Sequence, residues 1–332
     1  MQLFLIAYLA CAILILLKTH PIMTQIMANS RMYLRKFLKY DAVSFYDLNK
    51  DKEVLKYTGD TAFQNQEEAL EFLNNYPNYE RDTYGRWAVC LREGDVFIGW
   101  CGLNKSINTG ETDLGFRFFR KYWGLGYATE AAKMCLKYGF EILKLSSIIA
   151  HVYRENGASI HVLEKCAMKF SKNIVYDGKD AFLYRIKNIE IQIISPKETH
   201  PLRAKVLREN IPLPIVFKND TLADTFHLGA VKYGISEMVG VATFVKMKLP
   251  GLKGKQFQLR GMAISATSQG LGIGTLLLLD AVQRLGRMHC EYLWCNAREI
   301  ALDFYRKQGF EIIGNPFEIE YIGKHYTMFK KI

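Results

Sequence analysis

The sequence predicts a mixed α/β chain of two tandem domains, 31–188 and 189–332. Each is expected to be a mixed, mostly antiparallel sheet of about six or seven strands flanked by about four helices. Three observations predict this. The two stretches run through the same order of strand-like and helix-like periodicity. Each carries, after its fourth strand-like segment, a glycine-knotted turn feeding a helix: "KYWGLG" (Lys121 to Gly126) and "QGLGIG" (Gln269 to Gly274). The composition, 49% hydrophobic and 23% charged over 332 residues, is that of a folded chain with room for two ordinary domains.

In the first half "RMYLRKF" reads as a strand, followed by two helical stretches, the clearer being "NQEEALEFLNNY". "RWAVCLREGDVFIGWCGL" is a hairpin turning at Glu93-Gly94-Asp95, and "ETDLGFRFF" is a further strand. After the glycine turn, Ala128, Ala131, Ala132, Cys135, Gly139 and Ile142 fall on one helical face. "SIIAHVY" is a buried strand, "GASIHVLEKCAM" a short helix, and two strands close the half. The second half repeats this. "IEIQIIS" is a strand and "HPLRAKVLREN" a helix, and "TFHLGAVKYGISEMVGVATFVKMK" is a hairpin. "KQFQLRGMAIS" leads into the second turn, and Leu278, Ala281, Val282 and Leu285 form the apolar side of the next helix. "EYLWC" is a strand, "REIALDFYRKQGF" a helix, and "FEIEYIG" with "KHYTMFKK" ends the sheet.

Before these domains, residues 1–30 form a hydrophobic N-terminal segment whose run Leu3 to Leu17 holds fifteen apolar residues. It falls short of the roughly 20 needed to span a bilayer and lacks a basic stretch before it. Three readings stay open: a weak anchor holding the domains on the cytoplasmic face, an extension preceding a start at Met23 or Met27, or a cleaved signal. Seven cysteines, an odd number without a CxxC pair, argue against a disulfide framework or a metal site and favour the cytoplasm. A net charge of +11 suits an anionic ligand or surface, but no aromatic-basic RNA module accompanies it.

A strand, a glycine turn and a helix make an anion site. Glycine lets the backbone reach positive φ, and the unpaired N–H groups of the first helical turn point at the ligand. Two known phosphate motifs fit poorly. A Rossmann fingerprint follows the first strand of its unit, and a P-loop needs GK[ST].

On these residues both halves resemble the GNAT family of N-acetyltransferases, whose phosphate loop reads [QR]-x-x-G-x-[GA]. Gln269 to Gly274 matches in full, and Lys121 to Gly126 matches with lysine in first place. The resemblance implies acetyl-CoA as co-substrate and no metal. It puts the diphosphate on Lys121, Trp123, Gly124, Leu125, Gly126, Tyr127 and Ala128 in one half. In the other it falls on Gln269, Gly270, Leu271, Gly272, Ile273 and Gly274. The pantetheine arm would lie along Phe116, Arg117 and Phe118, and along Met262, Ala263 and Ile264. The first half is closer to the RimJ/RimL type, which acetylates α-amino groups of ribosomal proteins, through "TDLGF", "YWGLGYATEA" and "ENGASIHVLEKCAMKF". In that last motif Cys166-Ala167 replaces Leu-Gly, a loss expected to tilt the helix exit. Asn156 matches the family asparagine that contacts pantetheine; Arg298 stands at that place in the second half.

Acyl transfer needs a neutral amine and a proton for the departing thiolate. Neutralising a lysine side chain at pH 7 costs about 4–5 kcal/mol, an α-amine only about 1–1.5 kcal/mol, so one modest base suits an α-amine. By the resemblance Tyr305 would protonate the coenzyme A sulfur; Leu163 occupies that place in the first half. Asp113 is the candidate base of the first half, and His325 or His227 that of the second, whose corresponding strand holds Gln256 and Gln258. Arg203 and Arg208 read as surface charge or as a carboxylate clamp. The expected function is direct acetyl transfer in a ternary complex. The first half would act on a peptide or protein α-amine, ribosomal proteins included, and the second on a small amine. The alternative is that one half, the first rather than the second, binds acyl-CoA or a partner without turnover, as a regulatory or scaffolding module.

Overall fold

Among the described residues, strand pairing gives two sheets, held in two units that divide between Lys187 and Asn188. The computed structural model describes residues 25–235 and 237–332. The apolar run 3–17 and a start at Met23 lie outside the described residues. Among those described, no helix is long and apolar enough to cross a membrane.

The first domain runs β1 (Met27–Ala28), β2 (Met32–Arg35), α1 (Ala42–Lys50), α2 (Lys52–Leu55), α3 (Gln66–Asn74), α4 (Asn78–Arg81), β3 (Arg86–Leu91) and β4 (Phe97–Lys105). It continues with β5 (Thr112–Phe118), α5 (Tyr127–Glu141), β6 (Ser147–Tyr153), α6 (Gly157–Lys165), β7 (Lys169–Tyr176) and β8 (Lys179–Lys187). Its eight strands are ordered β1-β2-β3-β4-β5-β6-β8-β7, antiparallel except where β5 meets β6. The sheet starts before residue 31. Met27 and Ala28 turn back through Asn29, whose side chain accepts from the Arg31 and Met32 N–H groups, and pair with Leu34 and Tyr33. Helix α5 buries Ala131, Ala132, Cys135, Leu136 and Phe140. The helix stops at Glu141, so Ile142 sits at its C-cap and is exposed, contrary to the periodic pattern.

The second domain runs β9 (Ile189–Ile194), α7 (Pro196–Leu207), β10 (Phe226–Lys232), β11 (Met238–Lys246), β12 (Gln256–Ile264), α8 (Ile273–Arg287) and β13 (Tyr292–Arg298). Then follow α9 (Leu302–Lys307), β14 (Glu311–Ile312), β15 (Phe317–Ile319) and β16 (Gly323–Lys331). The order is β14-β16-β13-β12-β11-β10-β9, with β15 on β16 and β12–β13 parallel. Helix α7 begins four residues before His200. Ser195 and Glu198 form a capping box and Pro196 fills the first turn, where its missing N–H goes unneeded. One face of the sheet packs Leu259, Leu293 and Cys295 on Leu277, Leu278, Ala281 and Leu285 of α8; α7 lies against the other face through Leu202.

Helices α6 and α9 end alike. The Met168 N–H donates to the Leu163 carbonyl and that of Ala167 to Glu164; Phe310 donates to Tyr305 and Gly309 to Arg306. This is the Schellman ending, which needs a left-handed residue just past the helix. Gly309 takes φ 80° freely, while Ala167 is forced to φ 61°. The exit of α6 is therefore not tilted by the missing glycine; it is strained. Ala167→Gly should raise the stability of the first domain by about 0.5–1 kcal/mol, the relief of the left-handed penalty less the added chain entropy. A rise in the urea midpoint checks this, and a fall would remove the strain argument.

Candidate active site

Both glycine turns have one local design. In the first, the Phe119 N–H donates to the Ile98 carbonyl and the Trp123 indole N–H to the Phe118 carbonyl at 2.8 Å. In the second, the Ser265 N–H donates to Val239 and the Gln269 amide to the Ile264 carbonyl at 3.4 Å. Each strand end is thus tied to the turn that follows. Gly124 and Gly126 stand at φ 75° and 85°, Gly270 and Gly272 at 77° and 74°. The first helical N–H bonds are given by Glu130 to Gly126 and by Leu276 to Gly272, so the amides just before them have no helical partner. A Cβ at Gly124, Gly270 or Gly272 would meet nothing within 4 Å, so open space lies in front of these amides. That is a fit for a diphosphate: unpaired donors, a helix N-terminus and room.

Three details depart from the sequence reading. Gly274 is already inside α8, and a Cβ there would press on the Phe304 ring at 3.0 Å; its small size serves helix packing. Ile273 turns its side chain into the core, so only its backbone faces outward. The carbonyls of Phe118 and Ile264 are taken by Trp123 and Gln269, which leaves the earlier part of each strand edge for a ligand.

That edge is open because the parallel strands part. β5 and β6 are in register at Asp113 opposite Ile149; past it, Phe116, Arg117 and Phe118 keep only their β4 partners. β12 and β13 pair from Gln256–Tyr292 to Leu259–Cys295, and then Met262, Ala263 and Ile264 run on without β13. On the β11 side Ala242 faces two residues, Gly261 and Met262, a bulge that β5 lacks. Both gaps open at the carboxyl ends of the strands, beside the glycine turn. Asn156 caps α6 by accepting from the Ser159 N–H at 3.1 Å, which commits its carbonyl oxygen and leaves its NH₂ for other partners.

Arg31 was not among the sequence candidates. Its guanidinium bonds the Leu125 carbonyl at 3.1 Å and Glu130 Oε1 at 2.6 Å and covers the Tyr127 ring at 4.0 Å. It braces the first cradle and neutralises the carboxylate nearest to it. The pair is partly exposed, so it adds little stability. Its effect should fall on anion binding: Arg31→Gln should weaken coenzyme A binding by the first domain about 5–10-fold, by calorimetry, with little change in melting.

On the α1 side of the first sheet lies a cleft of about 330 Å³ lined by Phe45, Asp60, Phe72, Trp100 and Arg117 among others. Arg117 is buried and bonded to Asn49 and Asp60; burial holds its guanidinium below the usual value against the pull of Asp60. Asp113 is not a free base. Arg86 grips its carboxylate and also donates to the Gly102 carbonyl at 2.6 Å and the Asp113 carbonyl at 3.0 Å, and Asn104 reaches its other oxygen at 3.3 Å. To take a proton it would surrender a charge-assisted bond.

In the second domain Arg203 is fully buried, not surface charge. It holds Asp220 with two bonds, 2.6 and 3.1 Å, and donates to the Ile215 carbonyl and to Thr243. His227 completes this network, bonding Thr243 Oγ1 at 2.7 Å and the Asp220 carbonyl at 2.9 Å, and burial pushes its pKa down. It is structural. So is Gln256, which bonds the backbone at Leu249 and Leu252. His325 is also buried. Its Nδ1 faces the Gly323 carbonyl at 2.6 Å and so carries a proton, which in the neutral ring leaves Nε2 as the acceptor, and it stands opposite Arg298 on the cross-strand pair. Tyr305 lies in the core beneath the parted strands, its hydroxyl against the Cys295 thiol. Burial pushes it well above the ordinary tyrosine value, so it keeps its proton at neutral pH. Leu163 is equally buried and carries no proton to give. Among the described residues no group of side chains could hold a metal.

Comparison with known proteins bears on the family. Residues 31–169 match the profile described as "Acetyltransferase (GNAT) domain", and residues 193–310 the "Acetyltransferase (GNAT) family". The uncharacterized N-acetyltransferase YitI of Bacillus subtilis is 30% identical over 146 residues, 43% of this chain and 97% of its own. A second from the same organism, YnaD, is 32% identical over 162 residues, 47% of this chain and 93% of its own. A solved GNAT-family acetyltransferase from Bacillus anthracis aligns with 29% identity and TM-score 0.43, over 48% of this chain and 97% of its own. The two Bacillus subtilis relatives each have about the extent of one domain.

Proposed function

The chain belongs to the GNAT family of N-acetyltransferases, and on that premise we propose direct transfer of an acetyl group from acetyl-CoA to a primary amine, with turnover in the second domain. The observation that carries this is the parting of β12 from β13 beside the open cradle at Gly270 and Gly272. Acetyl-CoA supplies the activated acyl group. The amides at 270–274 would hold its diphosphate, and the free edge at Met262 and Ala263 its arm. His325 Nε2 is the proton acceptor for the incoming ammonium, and the protonated Tyr305 hydroxyl the donor to the departing sulfur.

The thiols support direct transfer. Burial pushes Cys90 up to about 11 and Cys166 up to about 12, and Cys295 higher still, so none of these is a ready nucleophile. With amine varied at several fixed acetyl-CoA concentrations, reciprocal plots should intersect; parallel lines would mean a covalent acyl-enzyme. Tyr305→Phe should lower kcat about 10–100-fold with little change in KM, a typical effect of losing a general acid. An unchanged kcat assigns the tyrosine to packing.

A second reading concerns the first domain. Leu163 stands where Tyr305 does, and Arg86 occupies Asp113. These features favour a domain that takes up acyl-CoA without turning it over. A Gly272→Val chain that still acetylates α-amines of peptides at the full rate would reject it.

A further inference from the structure

Every buried arginine of the first domain's α1 face has its acid. Arg35 lies 2.6 Å from Asp41, Arg86 holds Asp113, and Arg117 holds Asp60. The α7 face of the second domain is different. Arg203, Arg208 and Arg260 surround one ring, that of Phe217, with guanidinium carbons 4.2, 5.7 and 4.9 Å from its centroid. Asp220 serves Arg203 and the Phe217 N–H. Arg208 donates only to the Pro214 and Leu207 carbonyls, and among the described residues neither Arg208 nor Arg260 nor Arg298 has an ion pair. Glu299, beside Arg298, is instead engaged by Lys324 at 3.3 Å.

These charges are half-buried and crowd one another. Burial first, then Arg298, Arg203 and Arg260, push the Arg208 guanidinium below its usual value; at Arg260 burial does the same against the pull of Asp220, with Arg203 adding to it. Guanidiniums withdrawn from water without a direct ion-pair partner are costly, and planar forks of this kind suit carboxylate and phosphate oxygens. Their place matters as well. Arg260 follows Leu259, the last residue of β12 in register with β13, and Arg298 ends β13, cross-strand from His325. The unpaired charge therefore borders the gap in which the acyl group is transferred.

We propose that the second domain acetylates an amine that itself carries an anionic group, carboxylate or phosphate, which Arg208, Arg260 and Arg298 hold. This rests on the acetyltransferase reading above and names the acceptor class for that site.

The test uses the full chain and paired acceptors: α-amino acids against their amides, and phosphoethanolamine against ethanolamine. The anionic member of at least one pair should show at least tenfold higher kcat/KM, and the favoured pair separates carboxylate from phosphate. Arg260→Gln should erase the preference through the acceptor KM, with the acetyl-CoA KM unchanged; Arg260→Lys should restore part of it. Calorimetry of the same pairs with coenzyme A present reads the preference without turnover. Equal affinity and equal rate within every pair would overturn the proposal and leave acetyl transfer standing. No uptake of coenzyme A would overturn both.

Discussion

Replacing Gly272 with valine should remove coenzyme A uptake by the second domain and leave that of the first. Gly272 is the N-cap of α8 at φ 74°, and a Cβ there projects into space that holds no protein atom within 4 Å. The variant therefore meets no clash in the free protein. In the free variant the turn relaxes from the left-handed conformation, so binding must restore it at about 1–2 kcal/mol, and side-chain carbons stand where an anion must meet amides. Together these give about 2–3 kcal/mol, roughly 30- to 200-fold in affinity. A calorimetric titration should show one tight site where the unaltered chain shows two. An unaffected affinity would mean that the turn is only a turn.

The second large effect is on stability. Arg203→Ala should destabilise the second domain by about 3–5 kcal/mol, because it strands a buried carboxylate and loosens Thr243. The double variant Arg203→Met, Asp220→Leu should recover part of this, since no bare charge remains and His227 keeps its bond to the backbone of residue 220. The network also sets a pH dependence. Burial opposes the Asp220 charge, but hydrogen bonds from Arg203 and the Phe217 N–H outweigh it and hold the carboxyl below its ordinary value. Its contribution is complete above the ordinary carboxylate range, near 4, and is lost as pH falls through the lower folded value. His227 is likewise depressed, by burial first. Below about 6.5 the unfolded chain takes a proton that the folded domain refuses, so stability declines as pH falls. Domain-resolved hydrogen exchange between pH 7 and 5 should show α7 and β10 losing protection in the unaltered chain. His227→Gln should flatten that decline, and an equal decline in both would exonerate the histidine.

What was legible in the sequence was local. The glycine turns announce themselves because left-handed φ and open amides are decided within about five residues. The repeat of strand order was legible because apolar periodicity is written along each element. The polar interior was not. Arg203 meets Asp220 seventeen residues on, Arg86 meets Asp113 at a separation of 27, and Arg117 meets Asp60 at 57. In one dimension each is a charged residue of no special mark, so Asp113 looked like a base and Arg203 like solvent-facing charge. Ile142 was misplaced for a simpler reason: periodicity does not say where a helix stops.

The parted strands carry one more consequence. Where β5 leaves β6 and β12 leaves β13, each sheet forgoes ladder bonds that a continuous pairing would supply. On the binding mode proposed above, a donor laid along that seam would act as a removable rung. The ladder would then be most complete while the donor is bound. The gap in each ladder and the proposed binding surface are the same stretch of backbone.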